Sequence, residues 1–250
     1  MILDDVGGSP LVTSDDLRFD GEVGAQISFE FGRFYFGYMS SLDTRIKIES
    51  RSDPADIDWF ASRAADPSDV YFTIYDSDFD LGDIGYRHQP SVGTDVYLGF
   101  AFGRLEENLD ILSELGANER TGFFAHTINE FYGAHLGIRK QLHINGNFRI
   151  EGMARGGVYF NDIEVNAVAR DFDGYWNDEG VAYSGLGNIS VVIPAWPINS
   201  RVGYQLMWLG GVATPQGASS TLDSFDLAAG EIETDSVLYH GLTFGIEKIW

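Results

Sequence analysis

The chain has 250 residues and no cysteine, with 16 Lys+Arg against 38 Asp+Glu and a formal net charge of −22. So acidic a surface repels phosphate backbones and argues against a nucleic-acid partner. The missing cysteines exclude a disulfide framework, a thiolate zinc site and a cysteine nucleophile.

Aromatics make up 14% of the residues and glycine numbers 30, which points to β-structure with tight turns rather than to disorder. No apolar run approaches the roughly 18 residues of a membrane-spanning helix; the longest is "VVIPAW", Val191 to Trp196. A membrane β-strand needs only about 9–11 residues and turns every second one outward, so a membrane location stays open. The opening "MILDDVGGSP" has neither the basic nor the apolar region of a secretory signal.

Taken in chain order, the segments follow a period of two rather than of 3.6. Residues 1–20 read as a partial first strand or an N-terminal arm. In "GEVGAQISFEF" Val23, Ala25, Ile27, Phe29 and Phe31 share one face, against Glu22, Gln26, Ser28 and Glu30. "RFYFGYM" reads as a short return strand, and "YFTIYDSDFDLGDIGYRHQ" as a less regular one. In "DVYLGFAFGR" Val96, Leu98, Phe100 and Phe102 oppose Tyr97, Gly99, Ala101 and Gly103; in "EFYGAHLGIRKQ" Tyr132, Ala134, Leu136 and Ile138 oppose His135, Arg139 and Gln141. Phe148, Ile150, Ala154, Val158 and Phe160 oppose Arg149, Glu151, Arg155 and Tyr159. After the less regular "GVAYSGLGNISVVIP", Val202, Tyr204, Leu206 and Trp208 oppose Arg201, Gln205 and Met207. The closing segment sets Leu242, Phe244, Ile246 and Trp250 against Thr243 and Glu247.

The connections at 31–33, 88–93, 142–147 and 195–199 read as short, and those at about 42–69, 108–124, 167–179 and 214–235 as long and acidic. Strict alternation of short and long is the habit of transmembrane barrels, with periplasmic turns at one end and extracellular loops at the other. Counting back from a last strand that ends on the short-turn side calls for a strand before Gly21, part of it upstream of Met1. The sequence therefore predicts one all-β domain over 1–250. It is an antiparallel up-and-down transmembrane β-barrel of about ten strands (8–12) in a bacterial outer membrane.

Alternation alone leaves open which stripe faces inward. Gly, Ala, Ser and isolated charges of both signs make up the polar stripe, which suits a narrow lumen. Glu22, Glu30, Arg139, Arg149, Glu151, Arg155, Arg201 and Glu247 are expected to pair there, because unpaired buried charge is costly. Phe31, Phe148, Phe160, Trp208 and Trp250 fall near the ends of apolar stripes, where interfacial girdles form. Phe244, Ile246 and the terminal Trp250 match the closing-strand signal by which outer-membrane barrels are inserted.

Other chemistry is thinner. Asp76, Asp78, Asp80 and Asp83 invite a calcium reading, but an EF-hand loop counted from Asp76 would meet Leu81 and Arg87 where it needs glycine and a bidentate acid. Asp76, Asp78 and Asp80 remain weak metal candidates, expected to share a face and to meet lumen arginines or line a strand end. The acidic loops could hold divalent cations between neighbouring molecules, although solvated loops are commoner. Tyr175 and Trp176 could contact a glycan or a partner. His126 and His240 fall toward the long-loop ends of their strands, but no nucleophile elbow or metal-ligand spacing accompanies them, so no enzyme and no cofactor is expected.

"EFYGAHLGI", "ARGGVYFND", "RVGYQLMWLGGVA" and "LYHGLTFGIEKIW", in this order and most strongly from about Asn129 onward, resemble the beta-barrel porin-7 family of planctomycete outer-membrane proteins. "SPLVTS" resembles the segment after that family's first strand. The resemblance implies location and fold, and carries no substrate and no catalytic residue. Two functions compete on this reading. One is a scaffold presenting acidic loops to envelope proteins or further copies; the other is a narrow channel for small solutes.

Overall fold

The computed structural model describes residues 24–41, 44–51, 70–115, 119–145, 148–169, 172–195, 198–215, 232 and 234–248. The N-terminal arm and Glu22 lie outside them. Ten strands form one antiparallel sheet: β1 (Gly24–Phe31), β2 (Phe34–Ser41), β3 (Thr44–Arg51), β4 (Val70–Ser91), β5 (Thr94–Leu115), β6 (Glu119–Asn145), β7 (Phe148–Ala169), β8 (Phe172–Ala195), β9 (Ile198–Ala213) and β10 (Thr234–Lys248). Each neighbours the next in sequence, except that β2 and β3 both pair with β4. They are successive parts of one line, broken between the Ser40↔Asp80 and Thr44↔Ser77 pairs. At the break the Phe79 N–H donates to the Ser41 hydroxyl at 2.9 Å in place of a ladder bond. Among the described residues the sheet therefore has nine staves, up and down in strict alternation.

One end carries the two-residue turns 32–33 and 92–93, and at the same end β6 pairs with β7 out to Asn145↔Phe148 and β8 with β9 out to Ala195↔Ile198. Gly32 and Gly93 hold φ of 62° and 76°, which a side chain there would resist. The opposite end departs from the sequence expectation. Two of the four long connections are strand: β5 runs to Leu115 and β6 starts at Glu119, while β7 runs to Ala169 and β8 starts at Phe172. Most of 108–124 and 167–179 is paired backbone, as far out as Leu115↔Glu119 and Ala169↔Phe172. The region 42–69 likewise contributes β3, and most of 214–235 lies outside the described residues. At about 3.3 Å per residue, the 27-residue β6 is close to 90 Å long, far more than a bilayer needs.

The sheet curls until its ends meet through the interior, giving a half-barrel. The Phe79 and Tyr239 rings stack at 5.5 Å, joining β4 to β10, and the Gln205 amide of β9 donates to Met39 Sδ of β2 at 3.3 Å.

The two halves have opposite polarity. Toward the two-residue turns the outer face is apolar: Tyr86 and Ile84 on β4, Leu98, Phe100 and Phe102 on β5, Tyr132, Leu136 and Ile138 on β6, Val158 and Phe160 on β7 are exposed. The belt continues through Val181 to Ile193, Val202 to Trp208, and Leu238, Leu242 and Phe244. It stops on one rung of the ladder, where Asp80, Arg104, Glu130, Asp162 and Glu179 are successive cross-strand partners. Beyond that rung the outer face is largely acidic and polar, with Phe124 and Tyr175 exposed among the acids. One buried apolar cluster straddles the rung, with Phe79 and Leu105 just beyond it and Leu81, Ala101, Phe131 and Leu209 on the belt side; Tyr75, Leu109, Ile163 and Val165 form a second, wholly beyond it.

Near the top of β9, Gly211 (φ 74°) makes a bulge against Asp235/Ser236. Pairing with β8 ends at Tyr183↔Gly210, so the following backbone needs other partners. Asn129 supplies them from across the interior, donating to the Ala213 carbonyl at 2.9 Å and accepting from its N–H at 2.8 Å. Asn161 donates to the Gly211 carbonyl at 3.0 Å. Val212, Ala213 and Thr214 are buried as a result, so this end of the chain packs into the interior.

Candidate functional site

Within the belt half, the polar inner stripe forms three charge clusters. In the first, Arg139 reaches Asp95 at 2.9 Å and Glu30 at 3.2 Å, Arg87 also pairs with Glu30, and the Arg139 guanidinium lies 5.3 Å over the Tyr97 ring. In the second, Arg149 and Arg201 flank Glu151 at 2.5 and 2.8 Å. In the third, Arg155 binds Asp83, whose other neighbour is His135 Nε2 at 3.8 Å; the same Nε2 is hydrogen-bonded to the Tyr35 hydroxyl. In the first cluster two arginines meet two carboxylates, and in the third Arg155 meets Asp83, as charges removed from water require; in the second two arginines share Glu151.

Six of the eight residues expected in this interior network are therefore there: Glu30, Arg139, Arg149, Glu151, Arg155 and Arg201. Glu22 is not described, nor is the side chain of Glu247. The sequence reading missed Asp83, Asp95, Arg87 and Tyr35. It also expected Asp76, Asp78 and Asp80 to meet the lumen arginines or to line a strand end, and the structure corrects the first of these. They have the outward parity, Asp78 is exposed, and Asp80 accepts from the Tyr38 hydroxyl at 2.5 Å. Asp83 has the opposite parity, which puts the inward carboxylate there. Among the described residues no three Asp, Glu or His side chains converge on a metal position.

Tyr35 reaches His135 because Gly85 and Gly99, direct cross-strand partners, leave room for it. A Cβ on Gly99 would stand 2.6 Å from the Ile84 carbonyl and 2.8 Å from His135 Nε2. Gly99 is thus a packing position rather than part of an open bore. Next to this cluster, Phe131, Tyr159, Leu186 and Met207 enclose a cavity of about 10 Å³, room for roughly one water.

In the far half, the Tyr75 hydroxyl donates to Glu107 among apolar neighbours. Burial pushes this phenol well above its ordinary value of 10.0, and the Glu107 charge adds to the rise. A raised pKa keeps the phenol protonated in the fold, so its contribution is complete below about pH 10 and is lost as pH climbs toward the folded value. Denaturant midpoints measured from pH 8 to 12 should fall at the alkaline end, and Tyr75→Phe should flatten that fall. An unchanged slope in the variant would assign the loss to other groups.

On the outer face His126 Nε2 lies 2.9 Å from Glu106, between Asn108 and Asn166 as cross-strand neighbours, and His240 Nδ1 is 2.7 Å from the Tyr204 hydroxyl. Among the described residues the carboxylate beside His126 comes from the adjacent strand, and the partner of His240 is Tyr204. Of the aromatic pair proposed for partner contact, Tyr175 is exposed on the acidic face, whereas Trp176 packs inward against the second cluster. Phe31, Phe160 and Trp208 are exposed on the belt and Phe148 is half-buried; Phe244 is exposed at 75%, and Ile246 and Trp250 fall outside the described side chains.

What the arrangement provides is a filled interior and a flat acidic sheet face outside: Asp78, Asp80, Glu106, Glu130, Asp162, Glu164, Asp173 and Glu179 against Arg104. Comparison of the chain with protein-family models, with curated proteins and with solved structures finds no match.

Proposed function

We propose that this chain is a bacterial outer-membrane β-barrel with a closed interior, serving as a scaffold that holds an acidic β-sheet surface outside the membrane. One observation carries the reading: the outer face changes from apolar to largely acidic at the rung Asp80–Arg104–Glu130–Asp162–Glu179, while the inner face is charged near the turns and apolar from Leu81, Ala101 and Phe131 outward. A sheet that is apolar outside and polar inside is built for hydrocarbon, and one that is polar outside and apolar inside is built for water. Both occur here in the same staves, and each belongs to its own solvent. The apolar stretch Val181–Ile193 is close to the roughly 9–11 residues that a tilted membrane strand needs. On this reading the two-residue turns are periplasmic and the half beyond that rung projects outward. The likeness to the beta-barrel porin-7 family agrees with the location but does not carry the argument.

The narrow-channel alternative finds little support, because among the described residues aromatic and aliphatic side chains pack the interior on both sides of the charged rung, and the cavity beside the Asp83–Arg155 cluster is water-sized. Planar-bilayer recording tests the function. Protein whose insertion is verified by protease protection in the same liposomes should give no steady current. A reproducible ohmic conductance would replace the scaffold with a channel. Monodisperse, native protein in plain buffer without amphiphile would remove the membrane reading itself.

A further inference from the structure

Where the apolar belt meets the acidic face, a groove of about 340 Å³ opens on the outside of the sheet, walled by Tyr38, Phe102 and Tyr132. It exists because Gly82 has no side chain: a Cβ there would press on the Phe102 ring, with Cε2 at 2.7 Å. A groove of this size takes several waters at once, and is comparable to a small lipid headgroup. Its upper rim is charged. Glu130 and Asp162 stand directly opposite each other in the ladder, and Asp162 is opposite Glu179. Like charges so placed destabilise a sheet. Arg104, beside Glu130 in the register, leans instead to Glu106 at 2.9 Å, and neither Glu130 nor Asp162 has an ion-pair partner among the described residues.

We infer that this groove seats the headgroup of an aminophospholipid, its ammonium between Glu130 and Asp162, its phosphate toward Arg104, and its chains descending past Phe102 and Tyr132 along the belt. The inference rests on the membrane reading proposed above and goes beyond it by naming a ligand. Charge complementarity selects the occupant. Three carboxylates line the groove, Asp80 together with Glu130 and Asp162, and repel an anionic headgroup, while the Arg104 guanidinium suits the phosphate of a zwitterionic one. Continuity with the apolar belt selects a lipid over a free amine.

The test uses the whole protein, delipidated in non-ionic detergent and titrated with dihexanoyl-phosphatidylethanolamine or dihexanoyl-phosphatidylglycerol, with bound lipid counted by native mass spectrometry. The ethanolamine lipid should be preferred about tenfold, the ratio that one charge-assisted hydrogen bond supports. The double variant Glu130→Gln/Asp162→Asn should bring the ratio close to one. Gly82→Val, which fills the floor and keeps the charges, should weaken binding of the ethanolamine lipid. Equal binding of both lipids by the unmodified protein, or a preference that survives the double variant, would overturn the inference. Flotation with liposomes of the same two headgroups separates the failures. Protein that floats without a headgroup preference removes the groove proposal alone, and protein that does not float removes the membrane reading with it.

Discussion

Replacing Asp83 with asparagine should lower unfolding stability by about 3–5 kcal/mol, measured as a shift of the urea midpoint in detergent or lipid. Arg155 is only 11% exposed at its side chain and Asp83 7%, and Asp83 is the carboxylate that binds it. Asparagine keeps the shape but removes the charge, leaving a guanidinium in a low-dielectric interior with a neighbouring imidazole that cannot compensate it. Removing both members should be milder than removing one. Asp83→Leu with Arg155→Met exchanges the pair for apolar volume and escapes the desolvation penalty, so it should lie near the wild type. If the single and double variants lose equal stability, the ion pair is not what matters at this position. Gly37, directly opposite Asp83, lies beneath the carboxylate, so the variants at Asp83 are better probes than any enlargement of that glycine.

Phe131→Ala should cost a similar amount, about 3–5 kcal/mol, for a different reason. Phe131 is 2% exposed, stacks with Phe79 at 6.1 Å and meets Tyr159 at 5.6 Å. It lies where the polar and apolar parts of the interior join, over Gly103, whose missing side chain admits the ring. Truncation leaves a void that six paired staves cannot close by collapsing, so transfer and cavity losses add. The denaturant midpoint should fall with an unchanged m value, because the surface exposed on unfolding is the same. Phe131→Leu should recover more than half of the loss; no recovery would mean that the ring's contacts, rather than its volume, are responsible.

The belt half was legible in the sequence because one stripe is apolar without interruption. Leu98, Phe100 and Phe102 against Tyr97, Gly99 and Ala101 can be read by eye, and the exposed stripe is the apolar one. The far half was not. In "RLEENLDIL" the outward positions Arg104, Glu106, Asn108 and Asp110 are charged or polar, while the inward ones include Leu105, Glu107 and Leu109. That too is a two-residue period, but its many acids give the composition of a loop, and from about residue 108 onward the sequence reads as one. The change of polarity hid the strand. The alternation of the acids across 104–110 is the signal that carries β5 through them. The missed partner Asp83 had a similar signal. It is odd-numbered while Asp76, Asp78 and Asp80 are even, so a single regular strand cannot put all four on one side. Asp95 was hidden by its place next to a turn, where a carboxylate ordinarily faces water.

The paired hairpins beyond the charged rung bear on how anything could bind there. A loose loop must give up its backbone freedom at the moment of contact, and that loss weakens the complex. From Asp80 out to Leu115 and Glu119 the amides already answer one another across β4, β5 and β6. The carboxylates on that side consequently keep fixed spacings before any visitor arrives, so recognition depends on matching a rigid lattice of negative points rather than on folding around the guest.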